Sequence, residues 1–290
     1  MLKTTFSPII AGVMTWGAWG RNLDGPEMIK LMESCLENGI DTFDHADIYG
    51  GYTTEAAFGD AFADSGISRS QVKLISKCGI QYPSEKRPLP IKHYQYSKDY
   101  IIWSVNESLK NLRTDYLDLL LLHRPSPLMK SAEIAEAVTE LKRDGKILDF
   151  GLSNFTPIQT ELIQQHTLVS YNQIQFSLTH HSAMTDGTLD DMQLRNVRPM
   201  AWNPLGTVYR EDIEQTQRIR NLLGQLEAKY GVPGEVILFA WILKHPAKIL
   251  PVCGTTRPER IKEMMKATTL ELETEDWFAL WVESRGSKVP

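Results

Sequence analysis

The sequence predicts an α/β fold, a single-domain (β/α)8 (TIM) barrel over residues 1–290. Short apolar runs alternate with amphipathic helical patterns along the whole chain, and eight such units can be counted. A length of 290 residues is long for an ordinary domain but normal for such a barrel. No change in composition, linker or repeat marks a second domain. An open sheet is the rival fold, but no G-x-G-x-x-G follows the first strand and no Walker pattern occurs.

Each strand is predicted from a short apolar run bounded by turn residues. In chain order the predicted strands are Ile9–Met14, Thr42–Asp44, Lys73–Cys78, Leu117–His123, Ile147–Ser153, Tyr171–Gln175, Pro199–Trp202 and Ile249–Cys253. Helical spacing and capping signals, such as Asp24-Gly25-Pro26 at a start and Asp144-Gly145 at an end, predict the helices. These are Pro26–Glu37, Lys98–Leu112, Ser131–Arg143, a helix opening at Thr156-Pro157, and Glu211–Tyr230. The long connections Gly79–Ser97 and Asn203–Asp212 are of a length that usually serves a site or is disordered.

The composition restricts the classes of partner. A net charge of −5 and a pI near 5.8 argue against nucleic acid or an anionic membrane as the main partner. Cys35, Cys78 and Cys253 are odd in number and lack metal-ligand spacing, which favours a reducing, cytoplasmic location and no metal site. The stretch 6–20 lacks the features of a signal peptide, so a first barrel strand is favoured there. Monomer is the default expectation, because no heptad or interface pattern appears.

Polar side chains follow the predicted strands at their carboxyl ends, where barrels carry their chemistry. The second strand opens into 40–50, a stretch whose crowded acidic side chains folding alone does not explain. The other strand ends carry Lys77, His123, Ser153-Asn154, Gln173 and Trp202. Each has a structural explanation by itself: a lysine that reaches solvent, an interior histidine, a helix cap, a core tryptophan. Their coincidence at successive strand ends favours a functional site.

Asp, Tyr, Lys and His together can protonate a carbonyl oxygen. A free tyrosine has a pKa near ~10, and a lysine ammonium beside the phenol lowers that pKa. An aspartate keeps the buried lysine charged, and a histidine can orient the carbonyl by a hydrogen bond. These side chains cannot supply hydride, so a nicotinamide cofactor is implied. Asp44, Tyr49, Lys77 and His123 are the candidates for this work.

The motifs that carry these residues resemble the aldo-keto reductase family, and in particular its YdhF-like bacterial oxidoreductases. The similarity covers nearly the whole chain: Asp44–Gly50 with Gly39, Glu55 and Gly59, then Lys77, Asp115–Leu119, His123, Gly145–Ile147, Gly151–Phe155, Asn172-Gln173, Pro204–Gly206 and Gly254–Arg260. The resemblance implies a (β/α)8 barrel that reduces aldehydes or ketones to alcohols with NADPH. It implies Tyr49 as proton donor, Lys77 and Asp44 as its tuning pair, and His123 as the carbonyl-orienting residue.

The same resemblance implies the cofactor contacts. Ser153, Asn154 and Gln173 would hold the nicotinamide carboxamide, and Trp202 would stack on the ring. The phosphates and adenosine would meet Leu205, Gly206, Gly254, Thr255, Thr256, Arg257, Arg260 and Glu263, with Met264 where many members have Asn. Two arginines, which suit a 2′-phosphate, favour NADPH over NADH.

The substrate would be a small-molecule carbonyl compound. Trp16 and Arg124 are expected to wall its pocket, with the Gly79–Ser97 loop above. Two alternatives stay open beside the reductase. One is a non-enzymatic NADP(H)-binding regulatory subunit of the same fold, and the other is a Schiff-base aldolase that uses Lys77.

Overall fold

The computed structural model describes residues 5–289, and their strands confirm the predicted barrel. In chain order the strands are β1 Ile10–Gly12, β2 Thr42–Asp44, β3 Lys73–Cys78, β4 Ile80–Gln81, β5 His93–Tyr94, β6 Leu117–Leu122, β7 Ile147–Ser153, β8 Tyr171–Gln175, β9 Arg198–Trp202 and β10 Leu250–Cys253. Eight of them pair in parallel and close in the order β1-β10-β9-β8-β7-β6-β3-β2. Strands β4 and β5 form a separate antiparallel pair outside the barrel.

Helices cover the outside of the barrel. They are α1 Gly25–Glu37, α2 Thr54–Asp64, α3 Lys98–Asn111, α4 Ser131–Arg143, α5 Pro157–Gln164, α6 Thr188–Leu194, α7 Glu214–Tyr230, α8 Gly234–Leu243, α9 Pro258–Met265 and α10 Thr274–Arg285, with 3-10 turns at Arg69–Gln71, Ser182–Met184 and Lys266–Thr268. The predicted caps are present, since Asp24 accepts from the Glu27 N–H and Gly145 adopts φ +70°. Helix α7 begins later than the predicted Glu211, because Ile213 has an extended backbone (φ −117°, ψ 163°) and its N–H donates to Thr216 Oγ1 (3.1 Å) as a cap.

Two apolar layers explain why β6 is aliphatic on both faces. Leu119 and Leu121 pack inside the barrel with Ile75 and Met200, whereas Leu120 and its neighbours on the other face pack against the helices. A parallel strand that is buried on both faces needs apolar residues at successive positions, not at alternate ones. This packing fixes the strand ends at which the polar residues stand.

The segment 79–97, named here the 79–97 excursion, is an ordered structure across the barrel mouth. Strands β4 and β5 pair Ile80 with Tyr94, and the Gln95 N–H donates to Gly79 O (2.9 Å). Gly79 has φ +112°, and a Cβ there would lie 2.0 Å from the Tyr96 ring. Only glycine therefore lets this ring pass beneath the excursion.

Helix α10 closes against α8 through two stacked indoles. The rings of Trp241 and Trp277 lie 5.0 Å apart with an interplanar angle of 9°. Each indole N–H donates to the backbone carbonyl of the other residue, at 3.1 and 2.9 Å. The contact therefore joins the two helices by packing and by reciprocal hydrogen bonds. Within residues 5–289, no helix has the length and apolarity needed to cross a membrane.

Candidate active site

Four polar side chains meet at the carboxyl end of the barrel. Asp44 is the last residue of β2, Lys77 is the penultimate residue of β3, and His123 directly follows β6. These strands are neighbours that pair in parallel, so their ends lie side by side. Tyr49 lies in the turn after β2, where its N–H donates to Ala46 O (3.1 Å). The structure thus brings the four predicted catalytic residues together.

Lys77 is fully buried, and oxygen atoms surround its ammonium. Its Nζ lies 2.7 Å from Asp44 Oδ2, 2.7 Å from His45 O and 3.2 Å from the Tyr49 hydroxyl. An ammonium has three N–H donors, and each has an acceptor here. The second carboxylate oxygen, Asp44 Oδ1, accepts from Gln173 Nε2 (3.1 Å). The buried charges are therefore both paired and hydrogen-bonded, which is the condition for holding them away from water.

The Tyr49 hydroxyl accepts a hydrogen bond from Lys77, so its own proton remains available for donation. Burial raises the pKa of Tyr49 above its ordinary value, although the Lys77 charge opposes this, and Asp44 adds to the rise. Burial is the largest single effect and lowers the pKa of Lys77, but Asp44 and Tyr49 together outweigh it, so the net direction is upward. Lys77 thus acts in the predicted direction, since its charge lowers the pKa of the phenol, but desolvation is the larger effect and the net direction is upward.

His123 presents a neutral imidazole to the site. Its backbone N–H donates to Cys78 O (2.9 Å), and its ring centroid lies 6.1 Å from that of Tyr49, edge to face. Burial holds the pKa of His123 well below its ordinary value, and the charges of Lys77 and Arg124 lower it further. A neutral imidazole keeps one N–H donor, which is what a carbonyl oxygen requires of an orienting residue.

Three of the four side chains, Asp44, Tyr49 and His123, line a cleft of about 800 Å³, whereas Lys77 is fully buried against them. The predicted site residues on its wall are Asp44, Tyr49, His123, Arg124, Ser153, Asn154, Gln173, Trp202, Leu205, Gly206, Gly254, Thr255 and Arg260. A cleft of this volume can enclose most of a ligand of cofactor size.

Amide side chains and an indole form one wall of this cleft. Asn154 Nδ2 donates to Ser153 Oγ (2.8 Å), and the Ser153 hydroxyl donates to Gln173 O (3.0 Å). The Trp202 indole N–H donates to Asn154 Oδ1 (2.8 Å). Asn154 adopts φ +62°, a left-handed conformation that asparagine tolerates better than most residues. The three predicted carboxamide ligands and the predicted stacking ring are therefore neighbours in a bonded network.

Another part of the cleft wall is formed by residues that are predicted to contact the phosphates and the adenosine of the cofactor. Gly206 has φ +56°, and a Cβ there would lie 2.0 Å from Thr179 Oγ1, so the backbone can take this path only without a side chain. Arg260 lines the cleft and binds Glu235 through two hydrogen bonds, of 3.0 and 2.5 Å. The guanidinium thus already has a carboxylate partner, which the sequence did not indicate.

Three other predicted cofactor residues lie outside the cleft wall. Thr256 and Arg257 follow Thr255 toward the start of α9, and Arg257 is exposed. The Glu263 carboxylate is bound to Lys266 (2.7 Å), and Met264 is buried in the core. This pair lies at the surface, so the adenosine contact of Glu263 stays a prediction.

The prediction that Trp16 walls the substrate pocket is wrong. Trp16 is 1% exposed, packs 6.0 Å from the Phe43 ring and donates its indole N–H to Thr255 O (3.3 Å). Trp19 stands on the wall instead, 40% exposed and 5.3 Å from the Tyr82 ring. The two tryptophans lie in a turn without helix or strand periodicity, so sequence spacing could not decide which one faces the cleft.

Several wall residues were not singled out from the sequence: Met14, Trp19, Ile48, Ile80, Tyr82, Lys92, Tyr209, Arg210 and Cys253. Five of them lie in the two long connections, 79–97 and 203–212, and the length of these connections was the sequence signal for those five. Loop length indicates that a segment serves a site, but not which of its side chains face the ligand.

A second polar cluster is buried behind the four catalytic candidates. Asp47 Oδ2 accepts from Ser104 Oγ (3.2 Å) and from the Tyr100 hydroxyl (3.4 Å). Burial and the nearby Glu55 raise the pKa of Asp47 to about 7, against the opposing charge of Arg87. Arg87 belongs to the 79–97 excursion, so this cluster connects the excursion with the turn that carries Tyr49.

Comparisons with known proteins agree with this geometry. The model of the Aldo/keto reductase family matches residues 8–281. The oxidoreductase YdhF of Escherichia coli (strain K12) is 38% identical over 98% of this chain and 96% of its own length. A 6-dehydroglucose reductase of Agrobacterium fabrum is 38% identical over 95% of both chains.

A solved structure agrees as well. The thermostable aldo-keto reductase Tm1743, crystallised with the inhibitor epalrestat, superposes with a TM-score of 0.81 at 25% identity. The superposition covers 98% of this chain and 100% of that one. The predicted resemblance, including its YdhF-like character, is confirmed, and the chain belongs to the aldo/keto reductase family of oxidoreductases.

Proposed function

We propose that the protein reduces aldehydes or ketones to alcohols with NADPH, with Tyr49 as the proton donor. The observation that carries this proposal is the state of the Tyr49 hydroxyl, which lines the cleft and accepts from Lys77 (3.2 Å) while keeping its own proton. Its raised pKa means that the phenol is protonated at neutral pH, as an acid must be before the reaction.

The side chains divide the work of protonation. A substrate oxygen between Tyr49 and His123 receives one hydrogen bond from each and is thereby oriented. As the carbonyl carbon is reduced, the developing alkoxide takes the Tyr49 proton. The phenolate left behind is stabilised by the Lys77 ammonium, which Asp44 keeps charged despite full burial. The Lys77 ammonium therefore contributes mainly after the proton transfer, when it stabilises the phenolate.

The cleft suits a nicotinamide cofactor, which when bound supplies the hydride that no side chain can. Amide groups of Asn154 and Gln173 stand beside the catalytic tyrosine, as a carboxamide requires, and the Trp202 indole offers a stacking surface. On the predicted phosphate side, Gly206 contributes to the cleft wall and Arg260 offers a guanidinium. We propose that the chain holds NADPH along this path.

The proposal is tested by turnover. Purified protein is mixed with NADPH and a panel of aldehydes, quinones, dicarbonyls and 6-dehydroglucose, the last because a relative is named for it. Loss of the NADPH absorbance is followed. Tight NADPH binding without turnover of any member of the panel would refute the reductase and favour the non-enzymatic regulatory subunit.

The variant Tyr49→Phe removes the proton donor and leaves the ring in place. We expect turnover to fall by about 10²–10⁴-fold, the usual contribution of a general acid, while NADPH still binds. Stopped-flow reduction and fluorescence titration measure the two quantities. Unchanged turnover would show that the proton comes from another group.

The variant Arg260→Ala tests the choice of coenzyme. If Arg260 leaves Glu235 to bind the 2′-phosphate, its loss should weaken NADPH by about 10-fold or more and affect NADH little. Dissociation constants for both coenzymes provide the measurement, and equal losses would contradict the assignment.

The Schiff-base alternative is disfavoured by the state of Lys77. A lysine nucleophile must be neutral, whereas the pKa of Lys77 is raised by its ion pair with Asp44, at 2.7 Å. Trapping of a carbonyl substrate on Lys77 with borohydride would nevertheless establish it.

A further inference from the structure

Positively charged side chains outnumber carboxylates on the cleft wall. Lys92, Arg124, Arg210 and Arg260 line the cleft, whereas among residues 5–289 Asp44 is its one carboxylate. Asp44 is already neutralised by the buried lysine 2.7 Å away. The cleft is therefore net positive and suited to ligands that carry negative charge.

Two of these four cations have hydrogen-bond acceptors among the described residues, and two do not. Arg260 is paired with a carboxylate, and Arg210 donates to two oxygen atoms at 2.7 and 2.8 Å. Within the described part of the chain, the side-chain nitrogens of Lys92 and Arg124 have neither a carboxylate nor a hydrogen-bond acceptor. The Arg124 guanidinium carbon lies 5.6 Å from the centroid of a Trp202 ring, which leaves its N–H groups free for a ligand.

The excursion that carries Lys92 is fixed to the strand end that carries Arg124. The Tyr96 hydroxyl donates to Arg124 O (2.5 Å) and accepts from the Arg124 N–H (3.2 Å). Tyr96 is buried, and the absence of a side chain at Gly79 gives its ring room to reach this position. The backbone positions of the two cations are thus set by the fold and not by a free loop.

Both cations lie near the carbonyl-orienting histidine. Arg124 follows His123 directly in the chain, and Lys92 also lines the cleft into which His123 faces. Consistent with this, the charges of Arg124 and Lys92 both lower the pKa of His123, after the larger effects of burial and Lys77. Because His123 is neutral, it does not compete with the two cations for an anion.

We propose that Lys92 and Arg124 form a subsite for an anionic group of the substrate, a carboxylate or a phosphate, so that the preferred carbonyl compound is an anion. Its carbonyl group lies at Tyr49 and His123. The part between its two ends packs against the apolar side of the wall, which is formed by Trp19, Ile48, Ile80 and Tyr82. The inference rests on the proposed reductase function and names its substrate class.

The reaction balances without any further reagent. The carbonyl carbon gains a hydride from NADPH, the carbonyl oxygen gains the proton of Tyr49, and the products are a hydroxy-acid or hydroxyalkyl phosphate and NADP⁺. Solvent then returns a proton to the tyrosine. The anionic group forms no bond and loses none, because it serves only to position the carbonyl.

The test compares charged and neutral aldehydes of similar shape. With saturating NADPH, kcat/KM is measured for 4-carboxybenzaldehyde and its methyl ester, and for 4-formylphenyl phosphate and 4-methoxybenzaldehyde. The first pair reports on a carboxylate and the second on a phosphate. We expect the charged member of at least one pair to be preferred, and that preference to weaken as salt is raised.

The variants Arg124→Gln and Lys92→Gln each remove one cation. Each is expected to reduce the charged-to-neutral ratio of kcat/KM by about 10-fold, as for loss of a charge-assisted hydrogen bond. The matched control is Lys86→Gln, which removes an exposed lysine of the same excursion that does not line the cleft and should leave the ratio unchanged. A ratio that neither cleft variant changes would overturn the subsite while leaving the reductase intact.

A binding measurement separates the two proposals. Calorimetry with 4-carboxybenzaldehyde and its ester is done on the protein with and without NADP⁺, which needs no turnover. Tighter binding of the carboxylate that is lost in Arg124→Gln supports the subsite even if no aldehyde is reduced. Equal binding of the carboxylate and the ester overturns it, whatever the turnover assay shows.

Discussion

Lys77 shows how the fold holds a single buried charge at a cost in solvation. Its side chain is 0% exposed, and its three N–H groups bind a carboxylate, a backbone carbonyl and a phenol. Replacing one member of such a pair strands the other charge and typically costs about 3–5 kcal/mol. The ion pair is therefore weak evidence for stability by itself. Its position beside Tyr49 gives a reason for the chain to keep a charge in the barrel.

Asp47 and His45 are buried residues whose titration affects folding in opposite directions. The pKa of Asp47 is raised from 3.8 to about 7, so between these values the folded state keeps a proton that the unfolded state loses. The free energy of unfolding then falls as pH rises, by at most about 1.4 kcal/mol per pH unit. Burial, and then Lys77, lowers the pKa of His45 from 6.5 to about 3. Between these values the unfolded state binds a proton that the folded state does not, so the free energy of unfolding falls as pH falls through this range.

The variant Asp47→Asn isolates the first of these effects. Relative to wild type, its free energy of unfolding should increase as pH rises from 5 to 7, because the variant has no carboxylate to ionise. Urea unfolding across this range supplies the measurement. Asp60→Asn is the control, since Asp60 is 61% exposed and pairs with Arg113 at the surface. A difference from wild type that does not vary with pH would show that Asp47 is not titrating.

At the scale of elements, the 79–97 excursion links the cleft wall to the turn after β2. It pairs β4 with β5, contributes Ile80, Tyr82 and Lys92 to the cleft wall, and places Arg87 within 3.8 Å of the Tyr52 ring centroid. The Tyr52 hydroxyl in turn accepts from the Tyr82 N–H (2.7 Å). The excursion is thus bound to the turn after β2, and its order depends on a few side-chain contacts.

The variant Tyr96→Phe removes the hydroxyl that binds both backbone groups of Arg124. We expect the free energy of unfolding to fall by about 1–3 kcal/mol, because a buried N–H and C=O lose their partner. Cleavage of the excursion by protease should also become faster. Tyr94→Phe is the matched control, since Tyr94 is half-buried in the same excursion and, within residues 5–289, its hydroxyl has no hydrogen bond. Equal effects of the two variants would contradict this role of Tyr96.

At the scale of the whole molecule, the barrel was predictable because its signals are local. An aliphatic run such as 117–122 marks a strand wherever it packs, and Asp24 or Gly145 marks a helix end through its own backbone. The meeting of the four catalytic candidates was predictable for a related reason. Parallel strands bring their carboxyl ends to one rim, so residues distant in the chain become neighbours without any knowledge of their contacts.

Contacts that depend on tertiary packing were not predictable. The pairing of Arg260 with Glu235 joins α9 to α8, and no pattern in either segment indicates it. Trp19 lines the cleft and Trp16 is buried, and this difference depends on the conformation of the turn that carries both residues. The pKa of Tyr49 depends on the depth of the cleft, which sequence does not contain. The monomeric state and the cytoplasmic location stay predictions.

The variant Trp277→Ala tests how firmly α10 is attached to the barrel. Loss of an indole stacked 5.0 Å from the buried Trp241 removes apolar contact and the hydrogen bond from the Trp277 indole N–H to Trp241 O, and we expect a loss of about 3–5 kcal/mol in the free energy of unfolding. Chemical denaturation measures it. Phe278→Ala, at a neighbouring ring that is 41% exposed, should cost much less. Similar costs for both would mean that the stack contributes little.

The Trp241–Trp277 stack also gives the protein a spectroscopic signature. Two nearly parallel indoles 5.0 Å apart couple their electronic transitions, and this coupling exists only while α10 is docked on α8. Near-ultraviolet circular dichroism therefore carries a component that reports on one helix–helix contact, separately from the far-ultraviolet signal of total helix. Detachment of the last helix would be visible in the aromatic region before the barrel itself unfolds.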